Sequence, residues 1–240
     1  MAVIAKPAAT IMLTRDNKGT LEVLLLKRNK ALAFAGGLWV FPGGKIEADE
    51  LEQTATKLDA AKIAAVRETK EEANIDIDTS NLIFTRHWTT PEVEPRRYAT
   101  WFFFASVPPN VNEVKVDDSE IKAHQWINPQ EALNQMKAGK LAMLPPTFLN
   151  LQLIRTCHSV AEARAKLAAI EPVFVLPVFS PAKGKITLLY DGDAGYTTAN
   201  ANAEGARHRL IMQPSKGLIE FQYQGCEEYL PVNGGDDFFG

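Results

Sequence analysis

Two apolar segments near the start of the chain predict a β-hairpin. Residues 8–14 read AATIMLT and residues 21–27 read LEVLLLK, with the polar stretch RDNKG between them. Asn17 and Gly19 are residue types favoured in turns, and the apolar runs have the length of strands. Three later segments also predict strands: NLIFTRHW at 81–88, RRYATWFFFASVP at 96–108 and the end of VDDSEIKAHQWI at 116–127.

The pattern becomes helical from Lys57 to Ala73. Apolar or small residues there recur at the helical spacing and fall on one face, namely Leu58, Ala61, Ala65 and Thr69. Asn74 follows the last helical residue, and asparagine often replaces glycine in the left-handed conformation that ends a helix. Further helices are predicted at 128–140, with Asn128 as the cap and Pro129 in the first position, at 144–157 and at 159–170.

The character of the chain changes near Pro172. Residues 173–190 and 207–224 read as short strands separated by glycine, asparagine and proline. We therefore predict two domains, a larger one at 5–170 and a β-rich C-terminal extension at 171–240 with no evident chemistry.

Composition and charge narrow the functional classes. The 240 residues include 26 basic and 29 acidic ones, so there is no global basic field that would attract nucleic acid. No run approaches 18 apolar residues, which argues against a membrane span. The two cysteines are too few for a disulfide framework, and the final DDFFG is not a peroxisomal tripeptide. We expect a cytoplasmic protein.

Candidate chemistry is concentrated in RETKEEANI at 67–75. If this stretch is helical, Glu68, Glu71 and Glu72 share one face, at positions i, i+3 and i+4. Like charges at this spacing repel each other. The face is therefore either simply solvated or holds a cation.

The residues around these glutamates resemble the box of the Nudix hydrolases, G-x5-E-x7-R-E-U-x-E-E-x-G-U, in which U is aliphatic. Arg67 and the three glutamates match in register, Ile75 matches the closing position, and VFPGG precedes them. Thr69 replaces the aliphatic U and Asn74 replaces glycine. Counting back eight positions from the arginine places Asp59 where the box has glutamate. The 14 residues between Gly44 and Asp59, instead of five, predict a nine-residue insertion within 45–58.

This resemblance implies a fold and a metal site. The expected fold is an α/β/α Nudix sandwich with a mixed sheet, followed by the extension. Glu68, Glu71 and Glu72 would bind Mg²⁺ or Mn²⁺, Gly44 would offer its carbonyl, and Arg67 would orient the glutamates. A further carboxylate from a later loop, best matched by Glu120, would serve as ligand or general base, with Asp117 and Asp118 competing for that role.

Segments outside the box are similar to the Nudix branch that includes the peroxisomal coenzyme A diphosphatase. They include HWTTPEVEPRRYATWFFFASVP, WINPQEAL, LPPTFLNL and GARHRL at 205–210. The resemblance implies hydrolysis of coenzyme A or its thioesters to 3′,5′-ADP and a 4′-phosphopantetheine product. Alternatives are NADH, an ADP-sugar, a dinucleoside polyphosphate or a capped RNA end as substrate, or a non-catalytic nucleotide sensor.

Five residues outside the box are candidates for contact with a small-molecule nucleotide substrate. Arg96 and Arg97 follow a proline-rich loop and Arg28 follows a strand, positions from which guanidinium groups could bind phosphate or form ordinary salt bridges. Trp39 and Trp88 could stack on a base or belong to the core. The apolar strands of the extension could also form a homodimer contact.

Overall fold

The computed structural model describes residues 3–32, 34–111, 113–116, 119–182, 185–213 and 218–227. The first half of the chain is mainly strands around two helices. Its elements are β1 Lys6–Asn17, β2 Thr20–Arg28, β3 Trp39–Val40, β4 Gly43–Lys45, α1 Ala48–Glu52, α2 Lys57–Ala73, a short 3₁₀ helix Thr79–Asn81, β5 Ile83–Thr89 and β6 Tyr98–Ser106.

The second half contributes one more strand near the site, three helices and a separate group of strands. Its elements are β7 Ile121–Ile127, α3 Pro129–Lys137, α4 Pro145–Ile154, α5 Val160–Ala169, β8 Val173–Val175, β9 Val178–Ala182, β10 Lys185–Leu189, β11 Arg207–Gln213 and β12 Leu218–Gln224.

Within the described residues, the strands form one large mixed sheet and one small antiparallel sheet. The large sheet has the order β3-β2-β1-β6-β5-β8, with β4 paired to β1 and β7 paired to β2. β1 runs parallel to β6, whereas β4 is antiparallel to β1 and pairs with it only at residues 8–10. β4 therefore lies beside the beginning of β1, where the site is built. The small sheet has the order β12-β11-β10-β9.

Helix α2 begins and ends at local signals in the sequence. The Thr56 side chain accepts a hydrogen bond from the Asp59 N–H, which caps the first turn. Asn74 has a φ of 57° and its N–H donates to the Lys70 carbonyl, so the predicted left-handed ending is confirmed. Four fully buried alanines let the helix approach the sheet closely, at positions 60, 61, 64 and 65.

Two hydrophobic cores lie on the opposite faces of the large sheet. The alanines of α2 pack against Ala9, Ile11 and Leu13 of β1 on one face. The other core joins residues of β1, β2 and β6 to α3, α4 and α5, and it includes Leu188 and Leu210 of the small sheet. The α/β/α sandwich predicted from the sequence, with a small β sheet after it, is therefore confirmed.

The elements predicted from the sequence occur in the predicted order, whereas β3, β4 and α1 were not predicted. The hairpin turns at Lys18 and Gly19, which both have positive φ, and α2 has the predicted bounds. β8 follows the predicted domain boundary at residue 170 and pairs in parallel with β5 of the large sheet. The division at 5–170 and 171–240 stays a prediction. Among the described residues, no helix is long and apolar enough to cross a membrane.

Candidate active site

Helix α2 places its glutamates against the glycines of β4. The Gly43 N–H donates a hydrogen bond of 2.9 Å to Glu72 Oε2. Any side chain at Gly44 would collide with Glu68, because a Cβ there would lie 2.3 Å from the carboxyl carbon. Glu72 is buried, whereas the side chain of Glu71 is 57% exposed. The glycine-rich strand thus allows backbone and carboxylates to meet in a small space.

Arg67 ties this part of the site together. Its Nε donates to Glu50 Oε1 at 2.8 Å, and its Nη1 donates to Glu68 at 2.9 Å and to Glu71 at 3.1 Å. Its Nη2 donates to the Lys45 carbonyl at 3.0 Å. The hydrogen bond that Arg67 donates to Glu50 is the largest of the influences that raise the pKa of the Arg67 guanidinium above its ordinary value. Arg67 is therefore a permanent cation that donates hydrogen bonds to three carboxylates, and its role in orienting metal ligands stays a prediction.

The expectation that Asp59 occupies the glutamate position of the box is wrong. Asp59 accepts a hydrogen bond from the Thr56 hydroxyl at 2.6 Å at the start of α2, whereas Glu50 binds Arg67 through both carboxyl oxygens. Five residues separate Gly44 from Glu50, which is the spacing of the motif. The nine additional residues therefore lie between Glu50 and Arg67, where 16 residues stand instead of seven.

We expect Glu50→Gln to lower kcat/KM by about 10- to 100-fold, the usual range for residues that orient metal ligands. The amide loses the charge that holds Arg67 in place. Asp59→Asn is the matched control, and its turnover should stay within about twofold of the wild type, because Asp59 contributes only to the helix cap. Initial rates on a cleaved nucleotide measure both. A larger loss for Asp59→Asn than for Glu50→Gln would restore the original assignment.

A second group of ion pairs involves Arg28, Glu72 and Glu120. Arg28 lies at the end of β2, with Nη1 3.8 Å from Glu72 Oε1 and Nη2 3.5 Å from Glu120 Oε2. Asn29 fixes the segment that carries Glu120, because its N–H donates to the Glu120 carbonyl at 2.7 Å. The structure therefore brings Glu120 to the helix glutamates through an arginine. The competing candidates Asp117 and Asp118 lie outside the described residues.

Burial and mutual repulsion perturb the acidity of two glutamates. Burial is the main cause that raises the pKa of Glu72 to about 8; the charges of Glu68 and Glu120 add to it, and the Gly43 N–H and Arg28 oppose it. Burial likewise raises the pKa of Glu68, despite the hydrogen bond from Arg67. The charged forms are therefore costly in the protein alone, and a divalent cation would relieve that cost.

The donor set is suitable for a hard divalent cation. Carboxylate oxygens are the ligands preferred by Mg²⁺ and Mn²⁺, and the backbone of Gly44 adjoins them. In the part of the chain that the structure describes, no three acidic, histidine or cysteine side chains already converge on one point. Arg67 bridges Glu68 and Glu71, and Arg28 bridges Glu72 and Glu120. The carboxylates therefore fit a divalent metal site, and the positive charges of Arg28 and Arg67 lie between them.

The remaining predicted substrate residues differ in their surroundings. Arg96 is exposed in the loop between β5 and β6. Arg97 is buried, and it donates to the carbonyls of Thr90 and Val3. Trp39 is half-buried under the ammonium of Lys27. Trp88 is 5% exposed in the core on the sheet face opposite α2, so the structure does not bring it to the glutamates. Substrate contact by these residues stays a prediction.

The fold and the carboxylate helix together are those of a hydrolase that acts on pyrophosphate bonds. Residues 5–146 match the family described as NUDIX domain, which is more than half of the chain. The chain therefore belongs to the Nudix family. Enzymes of this family generally use divalent metal ions and act on small nucleotide substrates.

Relatives and a solved structure agree with this placement. A Caenorhabditis elegans protein named as nudix hydrolase 7 is 29% identical over 95% of this chain and 88% of its own length. The acyl-coenzyme A diphosphatase NUDT19 of Xenopus laevis is 25% identical over 60% of this chain and 62% of its own length. A NUDIX hydrolase from Alicyclobacillus acidocaldarius has a TM-score of 0.61 at 21% identity, covering 68% of this chain and 96% of its own. This last likeness supports the fold.

Proposed function

We propose that this Nudix hydrolase cleaves the diphosphate of coenzyme A or its thioesters with Mg²⁺ or Mn²⁺. The products would be 3′,5′-ADP and 4′-phosphopantetheine, the latter still acylated when the substrate is a thioester. The carboxylate cluster of α2, packed against Gly43 and Gly44, is the observation that carries the hydrolytic part of this proposal.

Glu68, Glu71 and Glu72 would hold the metal, and the Gly44 carbonyl would complete the protein ligands. A bound divalent cation would neutralise phosphate charge and lower the pKa of an attacking water. Because Arg67 contacts both Glu68 and Glu71, it would keep those carboxylates in place while the nucleotide enters.

Glu120 would act as a further ligand or as the general base. As base, it would accept a proton from water while the water oxygen bonds to one phosphorus. The P–O bond to the bridging oxygen then breaks, and that oxygen leaves with the other phosphate. The Glu120 side chain is 57% exposed beside Arg28, so solvent can reach the carboxylate that would take this proton.

The choice of coenzyme A is supported by residues outside the box. The segments WTTPEVEPRR and GARHRL resemble the coenzyme A branch of the family, and the frog relative is named as an acyl-coenzyme A diphosphatase. Arg96 is exposed in the first of these segments and would bind a phosphate of the nucleotide half. Cytoplasmic location and a homodimer contact through the extension stay predictions, and DDFFG lies outside the described residues.

A substrate panel with product masses tests the proposal. The panel contains coenzyme A, acetyl-coenzyme A, NADH, an ADP-sugar, a dinucleoside polyphosphate and a capped RNA, each with Mg²⁺ and with Mn²⁺. We expect the highest kcat/KM for a coenzyme A compound, with 3′,5′-ADP as one product. Intact coenzyme A under conditions where NADH or another compound is cleaved would refute the substrate and retain the hydrolase.

A further inference from the structure

Arg28 is the basic side chain that the structure places between a buried glutamate of α2 and the glutamate of the later loop. Its two terminal nitrogens point to different carboxylates, 3.8 Å from Glu72 and 3.5 Å from Glu120. Its side chain is 17% exposed. The guanidinium therefore supplies positive charge at the position where two of the candidate metal ligands face each other.

These contacts are looser than those of the other arginine in the site. The shortest nitrogen–oxygen distance from Arg67 to each of its three carboxylates is 2.8–3.1 Å, within or near the range of about 2.7–2.9 Å for charge-assisted hydrogen bonds. Arg28 Nε is buried and has no hydrogen-bond partner among the described residues. Arg28 thus offsets the carboxylate charge without forming the tight forked pair that its geometry would allow.

The backbone of Arg28 is fixed, so only its side chain is free to change position. Its N–H donates to the Leu38 carbonyl at 3.0 Å, and its carbonyl accepts from the Gly37 N–H at 3.0 Å. These two bonds close the loop between β2 and β3. The neighbouring Asn29 donates through its side chain to the Ser119 carbonyl at 2.9 Å, which links this loop to the segment of Glu120.

We propose that Arg28 is an internal counter-ion that competes with the metal for Glu72 and Glu120 and, once displaced, binds the diphosphate of the substrate. A divalent cation carries twice the charge and approaches oxygen to about 2.0–2.6 Å, so it takes over the carboxylates. The freed guanidinium then turns to the nearest anion, which is the nucleotide. Metal and diphosphate consequently bind with positive coupling through one side chain.

The coupling must be reciprocal, because the free protein, its metal complex, its nucleotide complex and the complex with both ligands form one thermodynamic cycle. Without nucleotide, displacement of Arg28 costs its two ion pairs and weakens metal binding. Without metal, Arg28 is held by the glutamates and is less available to phosphate. The inference rests on the metal site of the proposed function and does not depend on coenzyme A as the substrate.

Titration of Mn²⁺ into nucleotide-free protein tests the competition directly. We expect Arg28→Gln to bind Mn²⁺ about tenfold more tightly than the wild type, within the usual range of coupling between sites. A role of Arg28 in substrate binding alone would leave the Mn²⁺ affinity unchanged, and a structural role would weaken it. Cooperative unfolding of Arg28→Gln in EDTA would show that the variant is folded. An unchanged or a weakened Mn²⁺ affinity in that folded variant would overturn the proposal.

Two further variants make the measurement specific. Arg15→Gln removes the same charge from the Arg15–Glu22 pair near the hairpin turn, and its Mn²⁺ affinity should equal that of the wild type. Arg28→Lys keeps the charge but cannot span both carboxylates, so its affinity should fall between those of the wild type and Arg28→Gln. If Arg28→Gln does not fold, an affinity of Arg28→Lys equal to that of the wild type overturns the proposal.

Binding of α,β-methylene-ADP, which has no bridging P–O–P bond to hydrolyse, tests the second part of the proposal, that the displaced Arg28 binds the diphosphate. In the wild type, Mn²⁺ should increase the affinity for this analogue at least about fivefold more than it does in Arg28→Gln. Equal increases in the two proteins would overturn the coupling. A wild type that binds no Mn²⁺ refutes the metal site itself, whereas one that binds Mn²⁺ but spares coenzyme A refutes only the proposed substrate.

Discussion

Glu72→Gln should lower kcat by roughly a thousandfold, because a bound metal ion contributes several kcal/mol to transition-state stabilisation and each 1.36 kcal/mol is a factor of ten. The amide oxygen can still accept the hydrogen bond that Gly43 now donates to Glu72 at 2.9 Å. The fold should therefore be retained. In EDTA, the variant should be about as stable as the wild type, because burial already disfavours the charged form of Glu72.

Glu22→Gln is the matched control for this substitution, because it makes the same chemical change near the hairpin turn, where Glu22 pairs with Arg15. Its turnover should equal that of the wild type. Unchanged turnover in Glu72→Gln would refute the assigned site. Absence of turnover in the wild type on every nucleotide of the panel would instead favour the nucleotide sensor.

Arg209→Met should reduce the free energy of unfolding by about 3–5 kcal/mol, the usual cost of removing one partner of a buried ion pair. Arg209 donates to both oxygens of Asp193, at 2.7 Å and 2.6 Å, and the two side chains are 4% and 0% exposed. Asp193 also accepts the backbone N–H groups of Gly195 and His208. Without Arg209, this carboxylate is buried with no countercharge. Urea denaturation at pH 7 measures the change.

The loss in free energy of unfolding caused by Arg209→Met should become smaller as the pH falls below about 4. Burial opposes ionisation of Asp193, but the hydrogen bonds, led by Arg209, outweigh it and lower the pKa of Asp193 below its ordinary value. The stability gained is complete above the unfolded-state pKa and is lost as the pH falls through the lower folded-state pKa. The half-buried Arg15–Glu22 pair is the control, and Arg15→Met should cost less than about 1 kcal/mol. A cost this small for Arg209→Met at pH 7 would contradict the prediction.

Local signals made much of the fold predictable from the sequence. The bounds of α2 agree with the prediction because Thr56 caps one end and Asn74 takes the left-handed conformation at the other. The helix begun by Asn128 and Pro129 is confirmed for the same reason, since the Asn128 side chain accepts two backbone hydrogen bonds. Such signals act over a few residues, so neither depends on the rest of the chain.

Contacts between residues that are far apart in the sequence were harder to predict. Arg28 and Glu120 are 92 positions apart, and their meeting depends on β7 pairing with β2. The sequence pattern named both residues but did not pair them. Glu50 was missed although its spacing from Gly44 was visible, because counting back from Arg67 gave a different carboxylate.

Arg96 and Arg97 show how backbone geometry separates residues that look alike in sequence. They are adjacent just before β6, with Arg96 in a bend of the loop and Arg97 directly before the first residue of the strand. Arg96 is exposed, whereas Arg97 is buried and satisfies carbonyls of two other segments. The letters RR cannot tell which guanidinium is available to an anion.

The ion pair between Glu50 and Arg67 has a consequence for how this motif can vary. A partly helical stretch between Glu50 and Arg67 joins the two halves of the motif. Its length is not set by the chemistry, because the ion pair between these two residues holds the two halves next to each other. The free-energy cost of closing a loop grows only slowly with the length of the loop. Insertions and deletions between these halves can therefore accumulate while the carboxylates keep their places, and a search that counts positions along the chain will overlook such members of the family.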